Sequence, residues 1–319
     1  NNQLDIQKDV VIITAPLTDT AIPLMAPAAL KPIVESTGLS CLAVDLNAEI
    51  YKLVKDHPLQ DEIVRFFIED YATEETEAWL QDIFYSTAQQ LISYRPKVIC
   101  ISVFSYVCQV AAKWLAYYIK KLSPTTLIYF GGAGCLSTFT GPSQYIDDLL
   151  ETGLVDYHVR GDGEHSLYEL LTGNNTFLGI NSLTWKEMTN DELAKIPMPD
   201  YTNYNFTMYE KKVLPLLGSR GCVRRCTFCD YIANWKKFQW RTADDIFNEM
   251  LTQHRQYGLS NFKFQDSLTN GNQKEFRKLC ELLANYNTTN TVKFKWSGYY
   301  IFREWSNTSL RDWKMIYQS

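Results

Sequence analysis

With 319 residues, 46% of them apolar and 21% charged, the chain has the composition of a globular protein and is long enough for two cores. Its formal charge of −5 gives no electrostatic reason for a polyanionic partner, which sets nucleic acid aside as a substrate. No apolar run reaches the roughly 18 residues of a membrane-spanning helix, and the start NNQLDIQKD lacks the basic-then-apolar layout of a secretory signal, so a cytoplasmic protein is expected.

DVVIITAPL (9–17) is a short β-branched run ending in proline and reads as a buried strand. APAALKPIVESTG follows as a helix closed by Gly38, and LSCLAVDLN (39–47) as a second strand. Residues 48–95, rich in acidic and aromatic side chains at helical spacing, read as a helical excursion. KVICISVFS (97–105), the helical AAKWLAYYIKKL (111–122) and TLIYFGGAG (126–134) continue the alternation. VDYHVRGDGEHSLYELLTG (155–173) adds a strand, a glycine-bearing turn and a helix. Strands alternating with helices imply a parallel sheet covered on both faces, with ligands beyond the carboxyl ends of the strands. Residues 1–173 are therefore expected to form a doubly wound, Rossmann-like α/β domain.

Residues 174–211 are polar and carry Pro197 and Pro199, which oppose helix and central strand alike, so a linker is expected there. A second alternation fills 212–319: strand KVLPLLGS, a cysteine-bearing loop, helix ADDIFNEMLTQHRQYG, strand NFKFQDS, helix QKEFRKLCELLANY, strand VKFKWSGYY and a final helical stretch.

Eight cysteines in a chain of this length fall far below the density of a disulfide scaffold, and three of them share one loop, which points to a reducing compartment and metal-bound thiolates. Cys222, Cys226 and Cys229 are able to hold three corners of a cubane iron–sulfur cluster and leave the fourth iron open. A structural zinc site would require four protein ligands, and neither a second cysteine dyad nor a nearby histidine is present in the sequence. Cys41, Cys100, Cys108 and Cys280 read as small buried apolar residues.

RGCVRRCTFC, directly after a strand, resembles the CxxxCxxC signature of the radical S-adenosylmethionine (SAM) enzymes, with an aromatic residue before the last cysteine. The resemblance implies a [4Fe-4S] cluster on Cys222, Cys226 and Cys229, whose open iron chelates SAM. It further implies reductive cleavage of SAM to a 5′-deoxyadenosyl radical, with the electron coming from a donor such as flavodoxin or ferredoxin. By position, Phe228 would lie against the adenine. The end of the second barrel strand, FQDSLTNGN, would offer Gln265 and Asp266 to the methionine amino group in place of a Gly-Gly-Glu motif; a strand-end turn is the other reading of those two residues. Arg224 and Arg225 read as a solvated loop face, with positive charge placed near the cluster or its electron donor as the other reading.

VDLN, ISVFS, YFGGAGCLST and VRGDGEHSLYELL, in that order, resemble the cobalamin (B12)-binding domain found in front of many radical SAM barrels. Cobalamin would then meet Ser102, Ser105, Gly131, Gly132, Gly134, Gly161, Gly163 and Glu164. The glycines would let backbone approach a bulky ligand, although a plain tight turn, and for Glu164 a helix cap, also account for them. The Asp-x-His-x-x-Gly motif is absent, so the cofactor would be bound without a protein histidine, or the domain has lost it; His158 and His165 read as core or solvated histidines.

Together these features predict a cobalamin-binding-type domain followed by an incomplete radical SAM (β/α) partial barrel, since only three strands are legible from Val213 onward. A fragment of a longer enzyme is expected. The leading activity is a cobalamin-dependent methyltransferase acting on a small molecule, with ring rearrangement or cyclisation as the alternative. A methylthiotransferase acting on RNA is disfavoured, because no second cysteine triad precedes the loop. From another class, a non-catalytic iron–sulfur or metal-binding module would use Cys135 or Cys280 as fourth ligand.

Overall fold

A computed structural model describes residues 7–302 and 310–319, apart from positions 19, 137–143, 183, 230 and 232–234. The chain divides into two compact units, Asn1–Lys186 with Pro197–Tyr209, and Glu187–Ile196 with Glu210–Ser319. The stretch expected to link them, 174–211, is shared between the two. Its tyrosines explain part of this: Tyr201, Tyr204 and Tyr209 are all buried, and Lys31 reaches Asp200 at 2.5 Å, so 197–209 is strapped onto the first unit. Among the described residues no helix is long and apolar enough to cross a membrane.

The first unit is built on five parallel strands, β1 (Val10–Thr14), β2 (Cys41–Val44), β3 (Val98–Ser102), β4 (Leu127–Gly131) and β5 (Tyr157–Val159), in the order β2-β1-β3-β4-β5. This is the flavodoxin-type order of a doubly wound sheet, with its switch point between β1 and β3. Side chains of β1 alternate between two cores. Val11 and Ile13 join the cluster formed with α2 (Leu46–Val54), α3 (Gln60–Glu69), α4 (Glu74–Ser93), α5 (Gln109–Leu122) and α6 (Gln144–Glu151). Val10 and Ile12 join the opposite cluster, which includes residues of α1 (Ala26–Ser36) and α7 (Gly163–Leu171). Burial on both faces is why these strands read as unbroken apolar runs.

The helical excursion resolves into α2, α3 and α4. Its longest helix, α4, starts where the Thr73 side chain accepts the Thr76 amide, a cap whose removal costs about 1 kcal/mol.

In the second unit a three-stranded parallel sheet, order β10-β9-β6, is formed by β6 (Leu214–Leu216), β9 (Asn261–Phe264) and β10 (Lys295–Ser297). The expected strand at 212–219 is interrupted: after β6 the chain turns at Leu217 and Gly218, and Ser219–Arg220 (β7) pairs antiparallel with Gln239–Trp240 (β8). α8 (Asn190–Ala194) lies in the segment read as linker and is announced by a Thr189/Glu192 capping box. α9 (Ala243–Tyr257) is capped by Thr242 and closed by Gly258, and α10 (Gln273–Thr289) and α11 (Leu310–Gln318) complete the alternation. Phe262 packs edge-on against Phe294 at 5.3 Å, and Phe264 against Trp296 at 5.9 Å. Each of the three buried phenylalanine rings contributes on the order of 2 kcal/mol.

Candidate functional site

In the second unit the three cysteines lie in the loop between β7 and β8. Gly221 begins this loop at φ +77°, and a Cβ there would come within 2.0 Å of the Lys237 carbonyl oxygen, so only glycine lets the two stems meet. The returning stem is fixed by Glu187, whose carboxylate accepts the Lys236 and Lys237 amides at 3.1 and 3.0 Å. Within the loop Cys226 is exposed, and Cys222 and Cys229 are half-buried. The Cys229 amide bonds the Cys226 carbonyl at 3.1 Å, and the Arg224 amide points at Cys222 Sγ at 3.4 Å, the kind of N–H to sulfur contact that tunes a cluster.

Among the described residues no three His, Cys, Asp or Glu side chains converge on a point that one metal ion could occupy. A cubane places each thiolate on a different iron, so the donor set and its accessibility fit a cluster although the sulfurs stand apart. Cys280 is no candidate for a fourth ligand: it is fully buried with Phe276 and Met315, and burial pushes its thiol up to about 12. Cys135 is likewise enclosed in the core of the first unit, where its Sγ contacts the Gly131 carbonyl at 3.4 Å and burial raises its pKa.

Phe228 stands 87% exposed in the cysteine loop, its ring available to a planar ligand. Gln265 is exposed at the end of β9. Asp266 behaves differently. Its side chain is buried, and its two oxygens accept the Gly218 amide and the Ser219 hydroxyl, both at 2.7 Å. Burial raises its pKa to about 6 against these hydrogen bonds. Its carboxylate is thus committed to the stem of the cysteine loop. Beside it a cavity of about 20 Å³, lined by Ser219, Trp240, Arg241 and Thr269, has room for one water. Arg241 and Glu249, both almost fully buried, pair at 2.5 Å next to this stem, and Arg241 also bonds the Leu217 carbonyl.

The cobalamin candidates lie along the carboxyl rim of the five-stranded sheet. Thr14, Ser102 and Gly131 are aligned partners on β1, β3 and β4. Past them, the chain after β3 lies directly on the chain after β4, with the Gly134 amide donating to the Val103 carbonyl at 2.9 Å. Gly132 has φ +99°, and a Cβ on it would lie 2.4 Å from the Val103 carbonyl oxygen; at Gly134 a Cβ would lie 2.4 Å from that of Ser105. These two glycines are therefore required by contact between the protein's own loops, a reason that needs no ligand. Gly161 and Gly163 flank Asp162 in the next rim turn, and Glu164 is buried in the first turn of α7, where a carboxylate complements the helix dipole.

Sequence reasoning passed over two exposed aromatic residues of the rim. Phe104 and Tyr106, immediately after β3, are 60% and 56% exposed. Two aromatics following a buried strand were a readable signal. Two exposed rings beside glycine turns that carry no side-chain bulk are chemically compatible with a large planar ring such as a corrinoid.

No protein-family model matches the chain. It is similar to the anaerobic magnesium-protoporphyrin IX monomethyl ester cyclase of Synechocystis, with 21% identity over 56% of this chain and 38% of the cyclase. An uncharacterized methyltransferase of Pyrococcus horikoshii is 25% identical over 61% of this chain and 45% of its own length. The cytidylyl-2-hydroxyethylphosphonate methyltransferase of Streptomyces wedmorensis is 31% identical over 28% of this chain and 19% of its own. The chain thus spans less than half the length of these curated relatives. Among solved structures, 88% of the chain superposes on 52% of the radical SAM methyltransferase TsrM from Kitasatospora setae, determined with tryptophan and a SAM analogue, at a TM-score of 0.59 and 16% identity. A second TsrM structure, with cobalamin and a [4Fe-4S] cluster bound, gives 0.58 over 89% of the chain. The likeness extends to the fold, which the chain shares with TsrM over 88% of its length.

Proposed function

We propose that the chain belongs to a cobalamin-dependent radical SAM methyltransferase and carries its corrinoid and cluster sites. Its first unit would bind the corrinoid, and residues 212–319 would form the first half of the radical barrel. The observation that carries this reading is the cysteine loop: three accessible thiols within eight residues, held on a hairpin whose stems are fixed by Gly221, Glu187 and Asp266.

Cys222, Cys226 and Cys229 would hold the cluster. When bound, the cluster and SAM would supply a 5′-deoxyadenosyl radical, and cobalamin a transferable methyl group. This chain's own side chains would do the placing. Phe228 offers its exposed ring to the adenine and Gln265 an exposed amide to the methionine end. Asp266 holds the loop stem and, with no free oxygen facing outward, serves SAM through that stem. Ser102, Ser105, Gly131, Gly132, Gly134 and the Gly161, Gly163, Glu164 turn would border the corrinoid, and Phe104 and Tyr106 would cover it. The electron would come from a flavodoxin- or ferredoxin-type donor meeting Arg224, Arg225, Lys236 and Lys237, all exposed around the loop. The substrate would be a small molecule.

Methyl transfer is favoured by two relatives named as methyltransferases. Ring closure is the second reading, favoured by the two named as cyclases. Anaerobic reconstitution with iron and sulfide tests the core of the proposal: the protein should gain a [4Fe-4S] spectrum whose EPR signal, after dithionite reduction, changes on adding SAM. Zinc as the only metal bound, or an EPR signal indifferent to SAM, would reject it. Product mass, a gain of one methyl group against a loss of hydrogen, separates transfer from cyclisation.

A further inference from the structure

Asp45 sits at the N-cap position of α2, the place where an aspartate ordinarily accepts helix amides, yet its well-formed hydrogen bonds run to groups outside the helix. The carboxylate is turned inward, 6% exposed, and joins three separate segments. The Thr14 hydroxyl at the end of β1 donates to Oδ1 at 2.7 Å. The Leu24 amide and the Tyr209 hydroxyl donate to Oδ2 at 3.1 and 2.8 Å.

Around this knot the loop between β1 and α1, residues 15–25, is held at Thr18 and at Leu24. The Thr14 oxygen accepts the Asn47 amide at 3.1 Å. The Asn47 side chain accepts the Thr18 amide at 2.7 Å and donates to the Thr18 carbonyl at 3.3 Å. Tyr204 donates to the Leu24 carbonyl at 2.8 Å. This loop leaves the carboxyl end of β1 at the switch point of the sheet, where open α/β sheets take their ligands. Two of its fasteners, Tyr204 and Tyr209, come from 197–209, and Tyr209 is the last residue of the first unit before the chain passes into the unit that bears the cysteine loop.

We infer that Asp45 and Tyr209 form a latch that positions the 15–25 loop, so that the ligand affinity of the rim depends on a segment leading directly into the second unit. They are positioning residues, acting through Thr14 and Leu24. Only the identity of the ligand, a corrinoid, rests on the proposed function.

The test compares full-chain wild type with Tyr209→Phe, Asp45→Asn and a control, Lys120→Met. The control breaks the Lys120–Asp156 pair at the start of β5, at the opposite end of the strands. Tyr209→Phe keeps the ring and removes one hydroxyl, so it should fold even if Asp45→Asn does not. Amide exchange of peptides within 15–25 should rise about tenfold in Tyr209→Phe, as for loss of one net hydrogen bond, and stay at the wild-type rate in the control. Hydroxocobalamin affinity should fall by a similar factor in Tyr209→Phe and not in the control. Unchanged exchange in 15–25, or equal losses in Lys120→Met, would overturn the latch. If wild type retains no hydroxocobalamin, the corrinoid reading falls and the exchange comparison alone decides the latch.

Discussion

The Asp266 carboxylate and the Ser219 hydroxyl, joined by a 2.7 Å hydrogen bond, tie the end of β9 to the strand from which the cysteine loop springs. Asp266→Ala would leave the buried Ser219 hydroxyl and the Gly218 amide without their acceptor, at a cost of about 2–3 kcal/mol, and should lower the iron retained after reconstitution. Asp266→Asn isolates the charge. The folded pKa of about 6 lies above the usual carboxylate value, so the stabilisation is fully present below about pH 4 and is lost as pH rises through about 6. Relative to Asp266→Asn, wild type should therefore gain about 2 kcal/mol between pH 7.5 and pH 4, read by urea denaturation. A pH-independent difference between the two would remove the buried charge from the account.

Gly132→Ala and Gly153→Ala form a matched pair, since both glycines have positive φ, at +99° and +70°. Nothing lies within 4 Å of a Cβ on Gly153, whereas Gly132 faces the Val103 backbone. Gly153→Ala should cost about 1 kcal/mol and Gly132→Ala about 3 kcal/mol or more, because backbone cannot yield as a flexible side chain does. Equal melting temperatures for the two variants would show that the rim loops are not packed as described.

Because bulk at Gly132 disturbs the fold itself, the informative probe of the rim is the exposed pair. Phe104→Ser with Tyr106→Ser should leave stability within about 0.5 kcal/mol, as expected for surface positions. Hydroxocobalamin retained after desalting should nevertheless fall at least about tenfold, the equivalent of one lost aromatic contact. Full retention would free the two rings from any part in binding.

Between Arg220 and Lys237 the sequence places five cations and a single carboxylate, on a chain whose net charge is −5. Reversing Arg224 and Arg225 to Glu should slow cluster reduction by a reduced, acidic flavodoxin and flatten its dependence on ionic strength, while reduction by dithionite stays as in wild type. Unaltered flavodoxin kinetics would place the donor elsewhere.

The central strands of the first unit were legible because they are buried on both faces and read as plain apolar runs, as in VVIIT and VICIS. The cysteine loop was legible because its chemistry is local. What escaped was long-range. Nothing near Asp45 in sequence announces Tyr209, 164 positions away. Asp266 carried two readings, a SAM contact implied by the resemblance and a strand-end turn, and only the fold reveals that its oxygens accept from Gly218 and Ser219. The β7–β8 hairpin was missed because each strand is two residues long, too short for any period to register. The Thr189/Glu192 capping box, by contrast, was in plain sight within a segment dismissed for its prolines.

His158 offers a test of the first unit that needs no cofactor. It lies on β5 at 4% exposure, and its Nε2 has no hydrogen-bond partner. Burial, with the Arg160 charge adding to it, lowers its pKa to about 4. Arg160 is itself held over the Trp185 ring at 4.8 Å and cannot withdraw freely. A folded pKa below the ordinary value of about 6.5 means that the unfolded chain takes up the proton first. The contribution to stability is thus complete above about pH 6.5 and lost as pH falls through about 4, about 3 kcal/mol in all. His158→Leu abolishes this titration and leaves the other ionisable groups of the unit, Asp45 among them, common to both proteins. The stability difference between wild type and His158→Leu, followed by urea denaturation from pH 7.5 to pH 4, should shift toward the variant by about that amount. A constant difference across the range would mean that the imidazole is solvated, and that the carboxyl end of β5 is more open than its packing against Phe130 and Arg160 implies.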